Sequence, residues 1–437
     1  MSSAYWIQPI SDQVTAVEQG DVTEETLARE VRAQIERREP ELAAWVQFSD
    51  SHLDEAKEVE GAVGHLPLRG ISVGVKDLID VRGLPTRAGS TVTPDEPADS
   101  DAPVVGRLRA LGAVIQGKTV TTEFGYFAPG PTRNPHNRAH TPGGSSSGSA
   151  AAVGAGTIPV ALGTQTAGSL TRPASYCGAA GIVLAQGTAD LTGVTGLSKS
   201  LDSLGLLTRT VADLHYVFTA FTTGQAVAGS ADTPPIRRAL IWTGSDLHPI
   251  DPSMSALLIT LPDLLATSGV ASAGLDWDDH IQTLADDHVT VMAHEAAHTL
   301  ATVYEAHAAE LSAALRELVG DGRATSADTR QAALIRRDRS RELLGEILGT
   351  DTVVIGPAAP GPAPEGLSAT GSPVLSRPWQ LLGAPVVVVP GARTGSGLPL
   401  GLQIIGRPGQ EDAMLELGIR LESILRTSAA QPAPAVR

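Results

Sequence analysis

From Gly143 to Gly178 the chain reads GGSSSGSAAAVGAGTIPVALGTQTAGSLTRPASYCG, with nine serines and threonines before Pro173 and no charge before Arg172. Surface loops are usually more polar than this, and core strands carry fewer glycines. So much hydroxyl and so much glycine in one place asks for a chemical reading as well as a packing one.

The surroundings read as α/β. RGISVGVKD, from Arg69 to Asp77, alternates small and β-branched residues like a buried strand. Asp101-Ala-Pro-Val opens a helix that ends near Gly112, with proline in its first turn, and AVIQGK from Ala113 is a short strand. Further helices are expected from Asp21 to Ile35, His52 to Val59, Gly148 to Gly156, Thr210 to Phe221 and Glu411 to Leu425. Ile158 to Leu162 and Arg238 to Thr243 read as strands. Pro252 to Gly349 reads as mainly helical, with breaks near Gly269 and Gly320. TVVIGP, PVVVVP and LPLGLQIIG read as three buried strands. This order predicts a central mixed sheet covered by helices on both faces. No repeat or long linker divides the chain, so one domain is expected over 1–437. Its parts are an N-terminal helical segment of about 10–60, a core of about 66–220, a variable helical region of about 250–350 and C-terminal strands and helix of about 351–426. A disordered tail is expected over 427–437.

Bulk composition excludes several functions. Lys and Arg number 32 against 48 Asp and Glu, a net charge of −16, so a phosphate backbone is repelled and no nucleic-acid partner is expected. No apolar run reaches the roughly 20 residues of a membrane helix, and MSSAYWIQPISDQ lacks the marks of a signal peptide. Cys177 is the sole cysteine, which rules out an internal disulfide and a cysteine metal cluster. A soluble cytoplasmic protein is expected.

A serine nucleophile needs a base within hydrogen-bond reach. No histidine lies between Gly143 and Gly178. Lys76, at the end of an apolar strand, is an alternative, because a desolvated lysine loses its proton more readily. The plainer reading of Lys76 is a solvated charge at a strand end. Acyl transfer also needs backbone N–H groups aimed at an oxyanion. GTQTAGS offers Thr166, Ala167, Gly168 and Ser169 for that purpose. The same glycine-rich turn would equally let a strand and a helix pack closely. The phosphate-loop pattern GxxxxGK[ST] is missing from the stretch.

These segments together are recognisable. RGISVGVKDLIDVRGLPTRAGS, DAPVVGRLRALGAVIQGKTVTTEF, NPHNRAHTPGGSSSGSAAAVGAG, GTQTAGSLTRPASYCG, SLDSLGLLTRTVADL and GLPLGLQIIGRPGQED resemble the amidase signature family of serine hydrolases over nearly the whole chain. The pattern is similar to malonamidase-like members. The resemblance implies the amidase signature fold and a Ser–cis-Ser–Lys triad: Ser169 as nucleophile, Ser145 as bridging serine after a cis Gly144–Ser145 bond, and Lys76 as base. It implies an oxyanion hole at Thr166 to Ser169, with Ser146 and Ser147 supporting the loop. Ser147 stands where many members have glycine. No cofactor and no metal are implied, and a homodimer is an expectation at the level of the family.

Some positions depart from the common pattern. Gln165 stands where many members have aspartate, and Ala167 where glycine is common. GIVLAQGTADLTGVTGL, covering 181–197, lacks the usual lysine-proline sequence; it alters either a pocket wall or a partner surface. Arg172 is a candidate to hold a substrate carboxylate through a bidentate contact, against a structural arginine paired with a nearby carboxylate. Thr164 is a weaker candidate for the same site. His294-Glu295-Ala-Ala-His298 matches the zinc motif HExxH, but an ordinary polar helix face explains it more simply. Cys177 reads as a small buried hydrophobe and not a nucleophile. Trp379 and Leu382 belong to a pocket wall or to the core.

The expected activity is hydrolysis of a small-molecule amide, with or without a carboxylate, or of a carbamate, releasing ammonia or an amine. Alternatives are a carbamate- or ester-cleaving member, an amidotransferase A-type subunit passing ammonia to a partner, or a scaffold with a dead site. The intact Lys76, Ser145 and Ser169 set argues against the last.

Overall fold

The structure is a computed structural model, and it describes residues 4–225 and 234–429. Eleven strands form one mixed sheet. In chain order they are β1 (Trp45–Phe48), β2 (Ser72–Lys76), β3 (Val114–Thr119), β4 (Val160–Gln165), β5 (Ala180–Val183), β6 (Ser203–Thr208), β7 (Arg238–Ile241), β8 (Ala271–Gly274), β9 (Thr352–Pro357), β10 (Val386–Arg393) and β11 (Pro399–Ile405). Their spatial order is β1-β3-β2-β4-β6-β5-β10-β11-β9-β7-β8. β2 runs parallel to both β3 and β4, whereas β6 pairs antiparallel with β4 and β5.

Successive strand residues face opposite sides of a sheet. Val73, Val75, Val160, Leu162, Val387 and Val389 therefore enter one apolar core. Ala161, Val183, Val354, Val386 and Val388 enter another. Helices Pro103–Ala110, Val211–Thr223, Pro252–Thr267 and Glu411–Ala429 contribute to the first core. Helices Ser147–Gly154, Thr171–Cys177 and Asp278–Thr299 contribute to the second. The sheet is thus covered on both faces, as the hydrophobic pattern predicts.

The second face carries the hydroxyl-rich segment. Ser147–Gly154 is a helix of small residues, and Ala150 to Val153 are all buried in it. At Gly148 a Cβ would collide with the Ala44 carbonyl oxygen and the Val120 amide nitrogen, so the helix sits where only glycine admits it.

Several sequence expectations need correction. The N-terminal segment of about 10–60 is not wholly helical, because Trp45–Phe48 is an edge strand paired antiparallel with β3. Helix Ala313–Ala324 runs through Gly320, and the break comes instead at Thr325. Ala271–Gly274, inside the region read as helical, is an exposed edge strand. β5 and β6 go beyond the strands expected from the sequence. The last helix extends to Ala429, and the remainder of the expected tail lies outside the described residues. Among the described residues, no helix is long and apolar enough to cross a membrane.

Candidate active site

Lys76 ends β2, between two parallel neighbours, and has no solvent exposure. Its Nζ lies 2.7 Å from Ser145 Oγ, 2.8 Å from Thr164 Oγ1 and 3.5 Å from the Thr164 carbonyl oxygen. Burial disfavours the ammonium and lowers its pKa from 10.5 to about 7, against a smaller opposing pull from Asp202. A substantial fraction of neutral amine is therefore present near neutrality. Lys118 on β3 is equally buried, but its Nζ is ion-paired with Asp77 Oδ1 at 2.9 Å. The plainer reading of Lys76 as a solvated strand-end charge is excluded by its burial.

The Gly144–Ser145 peptide is cis, as the resemblance implies. The Ser145 carbonyl oxygen accepts from Thr122 N at 3.3 Å, Ser147 N at 2.8 Å and Ser147 Oγ at 3.2 Å. Ser146 N donates to the Ser169 carbonyl oxygen at 3.0 Å, and Ser146 Oγ donates to that of Thr164 at 3.3 Å. Gly163 makes room, since a Cβ there would sit 2.9 Å from Ser146 Oγ. These bonds tie the Ser145 segment to β4 and to Ser169. Among the described residues no hydrogen bond joins the Ser145 and Ser169 hydroxyls, although both residues line one cleft. Such contacts commonly close only when substrate is bound.

Thr166, Ala167, Gly168 and Ser169 follow β4 and line the same cleft. Gln165 fastens this turn. Its Oε1 accepts from Leu170 N and Thr171 N, each at 3.0 Å, and its Nε2 donates to Gln380 Oε1 at 3.0 Å. Thr166 is held twice. Its hydroxyl donates to Asp202 Oδ1, and its carbonyl oxygen accepts from His288 Nε2 at 2.7 Å. Burial raises the Asp202 pKa to about 6. Sequence reasoning missed Lys118, Gln380, Asp202 and His288 as parts of this neighbourhood. Asp202 stood in the quoted SLDSLG segment, whereas His288 lies in the variable helix, where no motif marks it.

A sequence model of the amidase family matches residues 26–415. This chain belongs to the amidase family. An amidase of Mycobacterium bovis, AmiA2, is 32% identical over 461 residues, covering 94% of this chain and 92% of that protein. The A-type subunit of the glutamyl-tRNA(Gln) amidotransferase of Exiguobacterium sibiricum is 30% identical, covering 90% and 92%. The solved peptide amidase of Stenotrophomonas maltophilia is 25% identical with a TM-score of 0.78, covering 96% and 97%. The chain is an amide-hydrolysing enzyme of that family.

Arg172 of the amidase opens into the cleft beside Ser169 and is 4% exposed. Its Nη2 donates to the Gly144 carbonyl oxygen and to Thr370 Oγ1 at 3.2 Å, whereas Nε and Nη1 have no partner. Burial lowers its pKa to about 10. Among the described residues no carboxylate pairs with it, so the structural-pair reading of Arg172 lacks its partner. Arg377 lines the cleft too. Thr164 is placed differently from Arg172, with its hydroxyl on Lys76 and its side chain facing a second chamber.

The remaining candidates lie elsewhere in the amidase. Glu295 of the HExxH match accepts from Ser198 Oγ at 2.7 Å and Ser200 N at 2.8 Å, and is bridged by Arg330. His294 Nδ1 meets the Thr325 carbonyl oxygen at 2.9 Å, and His298 Nδ1 that of His294 at 2.8 Å. Cys177 is buried, with Sγ 3.4 Å from the Pro142 carbonyl oxygen and a thiol pKa pushed far up by burial. Trp379 and Leu382 are core residues, and the Trp379 ring packs edge-on to Trp242 at 5.2 Å.

Proposed function

We propose that this amidase cleaves a small-molecule amide through an acyl-enzyme on Ser169. The observation that carries the reading is the 2.7 Å approach of a fully buried Lys76 Nζ to Ser145 Oγ. Neutral Lys76 takes a proton from Ser145 as Ser145 takes one from Ser169. The Ser169 oxygen adds to the amide carbon, and N–H groups of Thr166, Ala167, Gly168 and Ser169 stabilise the oxyanion. Ser145 returns the proton to nitrogen, the C–N bond breaks, and ammonia or an amine leaves. Water, deprotonated by the same relay, then releases the acid. Ser146, Ser147 and Gly144 keep Ser145 in place, and Thr164 holds Lys76. We assign no metal or cofactor a step, and we place the chain, as one domain, in the cytoplasm.

We further propose a malonamidase-like preference for amides that carry a carboxylate, bound by the free edge of Arg172. The two unpartnered guanidinium nitrogens support this, because a buried unpaired charge is costly without a ligand. An amidotransferase A-type role is the second reading, favoured by the 30% likeness to a protein of that kind. The test is kcat/KM for ammonia or amine release by the purified chain on malonamate, neutral aliphatic amides, aryl amides, esters and carbamates. Ser169→Ala serves as the blank. Ammonia release without a partner supports the stand-alone amidase. Turnover equal in Ser169→Ala would sink the proposal.

A further inference from the structure

A second chamber of about 210 Å³ lies beyond Ser145, against about 20 Å³ for the cleft that holds Ser169 and Arg172. Ser145 and Thr166 border both spaces, whereas Ser169 borders only the cleft. The chamber surface is mainly apolar, with Leu78, Phe124, Leu191, Val194 and Leu197 in its wall, although Asp202 and Lys199 also line it. Most of that wall comes from the atypical 181–197 segment, and the wall is fastened. Thr195 N donates to the Leu78 carbonyl oxygen at 2.7 Å, and Leu197 N and Ser198 N donate to Asp202 Oδ2 at 2.8 and 2.9 Å. Glu295 anchors the next turn through Ser198 and Ser200.

We infer that this chamber receives the amine side of the scissile bond, so that the substrate joins a short carboxylate-bearing acyl group to a compact apolar amine. The inference rests on the serine-hydrolase reading above. The acyl carbon bonds to Ser169 and stays in the cleft. The nitrogen must face Ser145 to receive its proton, and a substituent on that nitrogen extends past Ser145 into the chamber. The roomier, apolar side is therefore the amine side.

The test compares malonamate with its N-propyl and N-benzyl derivatives, and with longer acyl homologues, in wild type and Val194→Trp. N-alkylation is expected to raise kcat/KM about tenfold or more, the gain typical of a filled apolar pocket. Val194→Trp should erase that gain, lowering kcat/KM for the N-propyl and N-benzyl compounds about tenfold more than for malonamate. If N-alkylation gave no gain, or if Val194→Trp blocked the longer acyl chains instead, the chamber assignment would be overturned while Ser169-dependent turnover still supported the hydrolase reading. Absence of any Ser169-dependent turnover would overturn both.

A separate observation assigns His288. The Thr166 carbonyl and the Ala167 N–H share one trans peptide and point in opposite directions. His288 Nε2, without solvent exposure, donates to that carbonyl at 2.7 Å. We propose that His288 is a positioning residue, which turns the Ala167 N–H toward the oxyanion. Burial keeps the ring neutral, with its pKa pushed down to about 3, so this bond does not switch with pH. His288→Phe should lower kcat by about tenfold or more with KM within about twofold, a part of what a lost oxyanion donor costs. His288→Gln, which keeps a donor, should recover most of it at unchanged melting temperature. Equal loss in both variants, or a loss confined to KM, would overturn the assignment.

Discussion

Lys76 and Lys118 stand on adjacent strands, both closed to solvent, yet Lys118 ends 2.9 Å from the Asp77 carboxylate and Lys76 ends against the hydroxyls of Ser145 and Thr164. Their side chains leave the sheet on opposite faces, because Val75 and not Lys76 is the register partner of Lys118. An ion pair favours the ammonium, whereas hydroxyls can accept from an ammonium or donate to a neutral amine. Of these two lysines, Lys76 alone ends against a serine hydroxyl, whereas Lys118 meets a threonine hydroxyl and a carboxylate.

The pH dependence of kcat/KM should report this group. Activity is expected to rise with pH through a midpoint near the Lys76 value of about 7, because the proposed relay starts from the neutral amine. Lys76→Ala and Lys76→Arg should both fall by about a thousandfold or more, since arginine remains protonated. A flat profile between pH about 5.5 and 8.5 in a full rate series would contradict the assignment.

Stability should carry the same signature. Below pH about 7 the lysine is protonated folded and unfolded, and the fold bears a buried charge. From about 7 to 10.5 the unfolded chain binds more protons than the folded one, so stability rises with pH. Lys76→Met removes the titration. Its advantage in urea denaturation should be greatest below pH about 7 and shrink by several kcal/mol toward 10.5, at about 1.36 kcal/mol per pKa unit.

Arg172→Ala should change the ratio of activity on matched acidic and neutral amides. A fall of about a hundredfold is expected for the acidic compound beyond any common loss, the scale of a charge-assisted contact. The ratio is the readout, because loss of the Gly144 contact affects both substrates alike. An unchanged ratio would make Arg172 a structural residue.

Gln165→Ala should destabilise the fold by about 2–4 kcal/mol, because it leaves the buried N–H donors of Leu170 and Thr171 and the buried Gln380 Oε1 acceptor without their partner. Equilibrium urea unfolding measures this directly. A loss below about 0.5 kcal/mol would show that the turn is held by other contacts.

Chelation should leave activity unchanged. Glu295 is taken up by Ser198, Ser200 and Arg330, and one ring nitrogen of each motif histidine sits on a backbone carbonyl. Dialysis against EDTA followed by the amide assay and elemental analysis checks this. A stoichiometric metal whose removal abolishes turnover would restore the zinc reading.

The elements that sequence reasoning found are those with strong local patterns. Thr210 caps Val211–Thr223 through Asp213 N, at the start read from the sequence, whereas the helix expected from Asp21 begins at Glu24, capped by Thr23 through Thr26 N. Two of the strands it missed are short four-residue edges with weak signals, whereas β6 is a buried six-residue strand. Ala271–Gly274 is exposed along its whole length and has no apolar face to read. Trp45–Phe48 buries little beyond Trp45 and becomes a strand by pairing with β3, 69 or more residues away in the chain. Gly320 sits on an open helix surface with nothing within 4 Å of where a Cβ would be, so its breaking tendency is tolerated.

By itself the sequence determined which chemistry is present: a hydroxyl-rich, glycine-rich segment, a lysine closing an apolar strand and a turn of small residues before Ser169. These are local properties of contiguous residues, and their order carries the family. The tertiary structure alone decided which groups meet. It separated two buried lysines by giving one a carboxylate, left two buried nitrogens of Arg172 without a partner, and brought His288 onto a carbonyl 122 residues away. Desolvation and hydrogen-bond pairing depend on atoms packed from distant segments, and no local pattern encodes them.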